Sequence, residues 1–157
     1  MRGISERHGM TKVRQGGFLI AKVQLLSERI FSKILAKYDL TEISPAQGRI
    51  LFVLWQRDGI SIQELAQKTS LGKSTLTSML DRLADAGYLT REISGEDRRK
   101  IIIRLIKKDR NMRAVYQSVS DKMIGLFYQG FSSGEISQFE NHLSRVLANL
   151  DEFESTE

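Results

Sequence analysis

Small hydroxyl side chains and cations are concentrated in one stretch of this 157-residue chain, residues 72–105. The stretch begins GKSTLTSMLDRLADAGYL and ends GEDRRKIIIRL. Hydroxyls and cations bind phosphates and the edges of bases, and arginine suits a narrow groove in which negative potential is focused. The chemistry that this stretch favours is therefore the binding of a nucleic-acid duplex.

The first part of the stretch predicts a helix over residues 73–86. Gly87 is placed as its left-handed C-terminal residue, and an apolar stripe at helical spacing should be buried: Leu76, Met79, Leu80 and Leu83. The opposite face also contains Asp81, and it carries the candidate duplex contacts of the helix: Lys73, Ser74, Thr75, Thr77, Ser78 and Arg82. An ordinary polar first turn is the alternative interpretation of the hydroxyls.

The second part predicts two strands, near residues 88–93 and 101–105, joined by a charged tip. Their β-branched and loosely alternating residues favour a hairpin. The hairpin supplies further candidate duplex contacts: Arg91, Asp97, Arg98, Arg99 and Lys100. Asp97 is two residues from Arg99 and is predicted to accept a hydrogen bond from its guanidinium and fix its direction. A solvated loop with an incidental ion pair is the alternative.

Three Ser-x-x-Gln or Ser-x-x-Glu patterns predict the starts of other helices. Ser44-Pro45-Ala46-Gln47 opens a helix that ends near residues 58–59. Trp55 of this helix is predicted to lie in the protein core. Ser61–Glu64 opens a short helix, which makes a helix-turn-helix with the helix at residue 73. Ser132–Glu135 opens a last helix, which continues through residue 150.

Two further helices are predicted, at residues 17–38 and 111–129. The apolar stripe on residues 17–38 is wider than one neighbouring element requires. A second subunit is one explanation of this width, and a larger core within the chain is the other. The sequence leaves both open.

Composition excludes several kinds of chemistry. The chain has no cysteine, which excludes disulfides, thiolate catalysis and cysteine-ligated zinc. With two histidines and no glycine-rich phosphate loop, G-x-S-x-G or H-E-x-x-H motif, we expect no metal, no cofactor and no enzymatic activity. No apolar run approaches the roughly 20 residues of a membrane span, so we expect no membrane contact. The absence of cysteine suits the cytoplasmic location that we expect.

The net charge of +5 is unevenly distributed. Residues 73–110 hold ten lysines and arginines against six acids, and residues 1–40 hold eight against three. Residues 111–157 hold three against seven, so the C-terminal end is acidic. A basic zone around the helix and hairpin fits contact with phosphates, although an ordinary solvated surface would also explain it.

The order of these elements resembles the MarR family of winged helix-turn-helix regulators. The stretch SIQELAQKTSLGKSTLTSMLDRLADAGYLTREI is similar to the core of that family, and DRRKIIIRL is similar to its D-x-R wing signature through Asp97 and Arg99. The similarity covers residues 17–150 and is strongest at 45–105. It implies a mainly α fold with a small two- to three-stranded antiparallel β-wing and with N- and C-terminal dimerisation helices.

The same resemblance implies a function. The expected protein is a sequence-specific transcriptional regulator, a homodimeric repressor that binds a palindromic operator in double-stranded DNA and is released by a small aromatic or anionic effector. Arg99, held by Asp97, would enter the minor groove. Residues 1–16 would be flexible, 17–40 and 107–152 would form the dimerisation region, and 41–106 would bind DNA. The alternative is a winged-helix module for protein–protein contact without sequence-specific DNA binding.

The sequence departs from the family at several positions. Gly72 stands where the family often has a capping Ser or Asp before the recognition helix, and glycine is an acceptable cap. Ile106 replaces the threonine that would cap the fifth helix, so the start of that helix is undetermined. The absence of cysteine excludes peroxide sensing through a thiol. Four aromatic residues are predicted to pack in the core, with an effector pocket as the alternative: Phe18, Phe31, Tyr38 and Trp55.

Overall fold

A computed structural model of the chain describes residues 13–40, 43–106 and 109–156. These residues form two compact units, one ending at Ile106 and the other beginning at residue 107. The elements of the first unit are α1 Gly16–Ala36, α2 Pro45–Gln56, β1 Ile60–Ser61, α3 Ile62–Thr69, α4 Lys73–Asp85, β2 Leu89–Ile93 and β3 Ile101–Leu105. The second unit consists of α5 Asp109–Phe127 and α6 Ser133–Thr156. The predicted fold class, a mainly α winged helix-turn-helix, is confirmed.

Helix α2 begins at the predicted capping box. The Ser44 hydroxyl accepts a hydrogen bond from the Gln47 N–H at 3.2 Å, and Gln47 Oε1 accepts one from the Ser44 N–H at 2.8 Å. Pro45 occupies the first turn, where its missing N–H costs nothing. The helix ends at Gln56, two residues before the predicted end, and Trp55 is only partly buried.

The capping box predicted at Ser61 forms only in half. Ser61 Oγ accepts from the Glu64 N–H at 3.1 Å, but Glu64 Oε1 accepts from Arg57 Nη1 at 3.3 Å. Ser61 is also the last residue of β1, so one residue ends the strand and caps α3. Because of this sharing, no linker separates the sheet from the first helix of the helix-turn-helix.

The turn between α3 and α4 is tight. Ser70 has a left-handed backbone with φ of +53°, and Gly72 is the extended N-cap of α4. At the other end of α4, Gly87 has φ of +81°, the Tyr88 N–H donates to Leu83 O and the Gly87 N–H donates to Ala84 O. This is the predicted left-handed helix end, and it turns the chain directly into β2.

The three strands form an antiparallel sheet in the order β1-β3-β2. Ile103 of the central strand is opposite Ile60 on one side and Arg91 on the other. Ile103, Ile60 and Leu65 are at most 2% exposed, as are Leu76, Leu80 and Leu83 on the inner face of α4. The sheet and the helix-turn-helix therefore share one core.

A carboxylate extends the sheet beyond β1. Asp58 Oδ1 accepts from the Leu105 N–H at 2.9 Å and from the Gly59 N–H at 2.8 Å. Gly59 has φ of +70°, and the Arg104 guanidinium lies so close that a β-carbon at residue 59 would be 2.7 Å from Arg104 Nη1. The turn between α2 and β1 is thus fixed against the end of β3.

Both terminal helical regions expose apolar surface in the single chain. Only Ile34 and Leu35 of α1 are buried, whereas Phe18 is 65% exposed and Leu19 is 52% exposed. None of the residues Ser133–Thr156 of α6 is buried, although its predicted capping box forms between Ser132 and Glu135. Within the first unit α1 therefore buries only two residues, and both explanations of its wide apolar stripe stay predictions.

Helix α5 begins at Asp109, two residues before the predicted start, and residues 107–108 of the altered junction lie outside the described residues. Residues 1–12 of the predicted flexible terminus also lie outside them. Across the described part of the chain, no helix is long and apolar enough to cross a membrane.

Candidate nucleic-acid interface

The outward face of α4 is polar and exposed. Leu76, Leu80 and Leu83 are buried and Met79 is partly buried, which confirms the predicted inner stripe. All six candidate contact residues of the helix, Lys73, Ser74, Thr75, Thr77, Ser78 and Arg82, are exposed together with Asp81. The short side chains leave the backbone of this helix accessible, so a duplex can approach it closely.

The N-terminus of α4 has no side-chain cap. Gly72 supplies only its backbone, and the Thr77 hydroxyl donates to Lys73 O at 2.9 Å. The first N–H groups of the helix, with the positive end of its dipole, are therefore available to a phosphate oxygen beside the Lys73 ammonium.

The tip of the hairpin is a closed turn. Ser94 Oγ accepts from the N–H groups of Glu96 and Asp97, each at 3.3 Å. The Ser94 N–H donates to Lys100 O, and the Lys100 N–H donates to Asp97 O, both at 2.9 Å. These bonds close the turn through groups of the tip itself. The side chains of Arg98, Arg99 and Lys100 are left exposed at its end.

Asp97 and Arg99 form the predicted pair. Asp97 Oδ1 accepts from the Arg99 backbone N–H at 3.0 Å and from Arg99 Nε at 3.2 Å. The backbone hydrogen bond, followed by the guanidinium hydrogen bond, lowers the pKa of Asp97, so this carboxylate remains ionised. The Arg99 side chain is nevertheless 91% exposed. Its outer nitrogens are therefore accessible to a ligand while Nε is held.

Arg91 is tied to α4. Arg91 Nη2 is 2.5 Å from Asp81 Oδ1 and 3.5 Å from Thr77 O. Sequence reasoning identified Arg91 as a candidate contact and Asp81 as an acid on the outward face, but it missed that they pair. The missed signal was the acid itself, because a carboxylate beside phosphates is repelled unless it pairs with a cation of the protein or accepts a hydrogen bond from a cytosine amine.

The structure brings the candidate residues together in two groups. Arg91 joins the residues of α4 through Asp81. Residues 97–100 form a second group at the tip, and within the described residues no hydrogen bond or ion pair links this tip to α4. A duplex could contact both groups at once, because both are exposed and the same hairpin connects them.

A cavity of about 480 Å³ lies between α1, α2 and α4. Its wall includes Leu35, Gln47, Arg82, Leu83 and Tyr88. The four aromatic residues considered for a pocket do not line it, and two of them, Phe18 and Tyr38, are 65% and 49% exposed and so are not core residues either. The predicted core role was wrong for these two residues, because they lie on the exposed face of α1 or just after its end. Their role in an effector pocket stays a prediction.

Comparisons with known sequences identify relatives of this chain. The sequence model of the MarR family matches residues 43–101. The Staphylococcus aureus HTH-type transcriptional regulator MgrA is 25% identical over 150 residues, which cover 95% of this chain and 97% of MgrA. The Methylorubrum extorquens regulator TtmR is 33% identical over 85 residues, 54% of this chain and 42% of TtmR.

Solved structures have the same fold. A mutant of E. coli MarR complexed with operator DNA superposes with a TM-score of 0.72 at 26% identity, covering 83% of this chain and 92% of that one. Streptomyces coelicolor PcaV in complex with its natural ligand superposes with a TM-score of 0.76 at 19% identity. The superposition covers 88% of this chain and 98% of PcaV. The relatives are regulators and not enzymes, in agreement with the expectation from the sequence.

Exchanging the charges of Asp81 and Arg91 tests whether Arg91 acts by positioning the hairpin. Arg91→Gln should weaken binding to duplex DNA by up to about fivefold, because an exposed ion pair is worth at most about 1 kcal/mol. The double variant Asp81→Arg, Arg91→Asp keeps the net charge and the ion pair, so it should bind like the original chain. Fluorescence anisotropy with a labelled duplex measures both. A double variant as weak as Arg91→Gln would show that Arg91 contacts DNA directly.

Proposed function

The chain belongs to the MarR family, and we propose that it is a cytoplasmic, homodimeric transcriptional repressor that binds a palindromic operator in double-stranded DNA. The observation that carries the proposal is the wing tip, where Asp97 holds an Arg99 side chain that is 91% exposed. An exposed pair of this kind adds little to stability. Its use is to present a preorganised guanidinium to a ligand.

Helix α4 is the proposed recognition helix. Its exposed hydroxyls at Ser74, Thr75, Thr77 and Ser78 are donors and acceptors of the size that base edges in the major groove accommodate. Lys73 and Arg82 lie at the two ends of this row and would bind the flanking phosphates. Residues 41–106 then form the DNA-binding region, within which Arg91 positions the hairpin against α4.

The wing tip is proposed to enter the minor groove. Arg99 would be the inserted side chain, because its backbone and Nε are fixed by Asp97 and its outer nitrogens are accessible. Arg98 and Lys100 are exposed on either side of it and would bind the phosphates that border the groove. The closed turn at Ser94 keeps these three cations at the end of the hairpin.

A second copy of the chain is the proposed occupant of the exposed apolar surfaces. Along α1, Val23, Leu25 and Leu26 are 44%, 62% and 51% exposed, and along α6, Leu147, Leu150 and Phe153 are 52%, 62% and 65% exposed. Exposed apolar side chains that recur along one helix in this way mark an interaction site. We assign residues 17–40 and 107–152 to the dimerisation region. A two-fold dimer presents its recognition helices about 34–36 Å apart, which explains a palindromic operator.

The cavity between α1, α2 and α4 is the proposed effector site. Leu35 and Leu83 give it apolar walls, and Arg82 supplies a cation. This composition suits a small aromatic anion, and the structure of PcaV with its natural ligand supports an effector in a protein of this fold. Arg82 also lies on the outward face of α4, so an anion bound to it would remove a cation from the DNA side.

Selection from random duplexes tests the central proposal. Repeated enrichment on the immobilised protein should recover a palindrome with half-sites one helical turn apart, about 10–10.5 base pairs. Arg99→Ala should then weaken binding to that palindrome by about 1–3 kcal/mol and lower the salt slope by about one. Glu96→Ala, also at the tip, should bind at least as well as the original chain. Failure to enrich any motif at low salt would favour the alternative, a protein–protein contact module.

Substitution on α1 tests the dimer. Leu19→Glu with Val23→Glu places two charges in the proposed interface, where burial of each apolar side chain is worth about 1.5–3 kcal/mol. The dissociation constant of the dimer should therefore rise by at least about a hundredfold in sedimentation measurements. Gln56→Glu, an exposed position at the end of α2 and outside the proposed dimerisation region, is the control and should leave the dimer intact. An unchanged mass of the double variant would contradict the proposed interface.

Titration with benzoate, a small aromatic anion, tests the effector site. Benzoate should release the original chain from the enriched palindrome. Arg82→Gln should bind the palindrome about tenfold more weakly and should no longer respond to benzoate. Lys73→Gln, which removes a cation from the same face but does not line the cavity, should also bind more weakly yet still respond. An equal response of the two variants would place the benzoate elsewhere.

A further inference from the structure

The hairpin carries an exposed pair of isoleucines next to its charged tip. Ile93 ends β2, Ile101 begins β3, and the two are directly opposite each other across the strands. Their side chains are 71% and 41% exposed. Single apolar residues on a surface require no explanation, but this pair is contiguous, and the chain between its two members carries Arg98, Arg99 and Lys100.

The two faces of the hairpin are different. Side chains alternate between the faces of a strand, so Ile93 and Ile101 share a face with Arg91 and with Leu89 and Ile103, which are buried. The other face has a polar cross-strand pair, in which Arg104 Nε donates to Glu92 Oε2 at 2.7 Å. The two isoleucines therefore lie on the same face of the hairpin as the buried residues, but nearer the tip, where the core no longer covers that face.

The position of Arg91 shows which elements border this apolar pair. Arg91 precedes Ile93 by two residues on the same face, and its guanidinium bonds to Asp81 and Thr77 of α4. The pair thus lies between the part of the hairpin that contacts α4 and the cationic tip. A ligand that contacts both the face of α4 and the tip would have to pass over Ile93 and Ile101.

We propose that Ile93 and Ile101 pack against the deoxyribose edges of the bound duplex, beside the groove that the tip enters. This inference rests on the proposed function. Charge complementarity with the three tip cations favours a polyanion as the occupant, and in DNA each phosphate is flanked by the carbon edges of two sugars. An apolar pair immediately beside a cluster of cations is complementary to this alternation of charged phosphates and apolar sugar edges.

The contact has a role that the cations do not perform. Cations gain affinity through the release of counterions, so their contribution falls as salt rises. Burial of methyl and methylene groups against sugar carbons has no such dependence, and it favours neither base pair over another. The isoleucine pair would therefore hold the wing on the duplex at high salt, equally well on specific and nonspecific sequences.

The test compares threonine variants on the two faces of the hairpin. Ile93→Thr with Ile101→Thr retains β-branching but removes apolar surface, and Ile102→Thr makes the same change on the opposite face. Anisotropy is measured with the enriched palindrome and with a random duplex of the same length over a series of salt concentrations. The double variant should bind both duplexes about tenfold more weakly, by loss of buried apolar groups, with an unchanged salt slope. Ile102→Thr should bind normally.

Other outcomes are distinguishable. Wild-type affinity of the double variant, with weakened binding of Arg99→Ala, would overturn this inference and leave the proposed function intact. Failure of the original chain to enrich a motif would count against the proposed function itself. Altered sedimentation with unchanged DNA affinity would assign the pair to contact between copies of the chain and would also overturn the inference. If thermal unfolding shows that the two threonines weaken the fold, the same DNA-binding measurement is made on the milder variant Ile93→Val with Ile101→Val. This variant should lose about threefold in DNA affinity.

Discussion

The two-sided register of β3 is the constraint on which the rest of the winged unit depends. Ile103 is fully buried, and its backbone is opposite Ile60 of β1 on one edge and Arg91 of β2 on the other. β1 leads directly into α3, and β2 follows α4 after three residues, so the positions of both helices depend on this one strand. A slip of β3 by one residue would turn Ile103 to solvent.

This register separates two exposed groups of side chains within residues 73–105, one on α4 and one at the tip of the hairpin. The short hydroxyls of α4 lie on one side of the Asp81–Arg91 pair, and the cations of the tip lie at the far end of the hairpin. Neither group stabilises the fold to any extent, because both are exposed and an exposed ion pair contributes at most about 1 kcal/mol. The core supplies the stability, and the surface is left to interact with a ligand.

Local signals in the sequence predicted the elements well. The capping box at Ser44, the left-handed Gly87 and the Asp97–Arg99 pair each depend on residues within a few positions of one another, so spacing alone identified them. The pairs Asp81–Arg91 and Asp58–Leu105 were not predicted, because they depend on the β2–β3 register and on the turn at Gly59. The capping box at Ser61 was only half right, since Arg57 takes the Glu64 carboxylate. No alternation pattern predicted that Ile93 would extend beyond the core.

The sharing of Ser61 between β1 and α3 has a consequence for the thermodynamics of binding. A flexible linker at this point would have several residues to order, at about 1–2 kcal/mol of backbone entropy for each. The described chain has none there, since the residue that ends the strand also caps the helix. The hairpin and the helix-turn-helix meet a partner as one preorganised body, so little conformational entropy opposes the simultaneous engagement of the two.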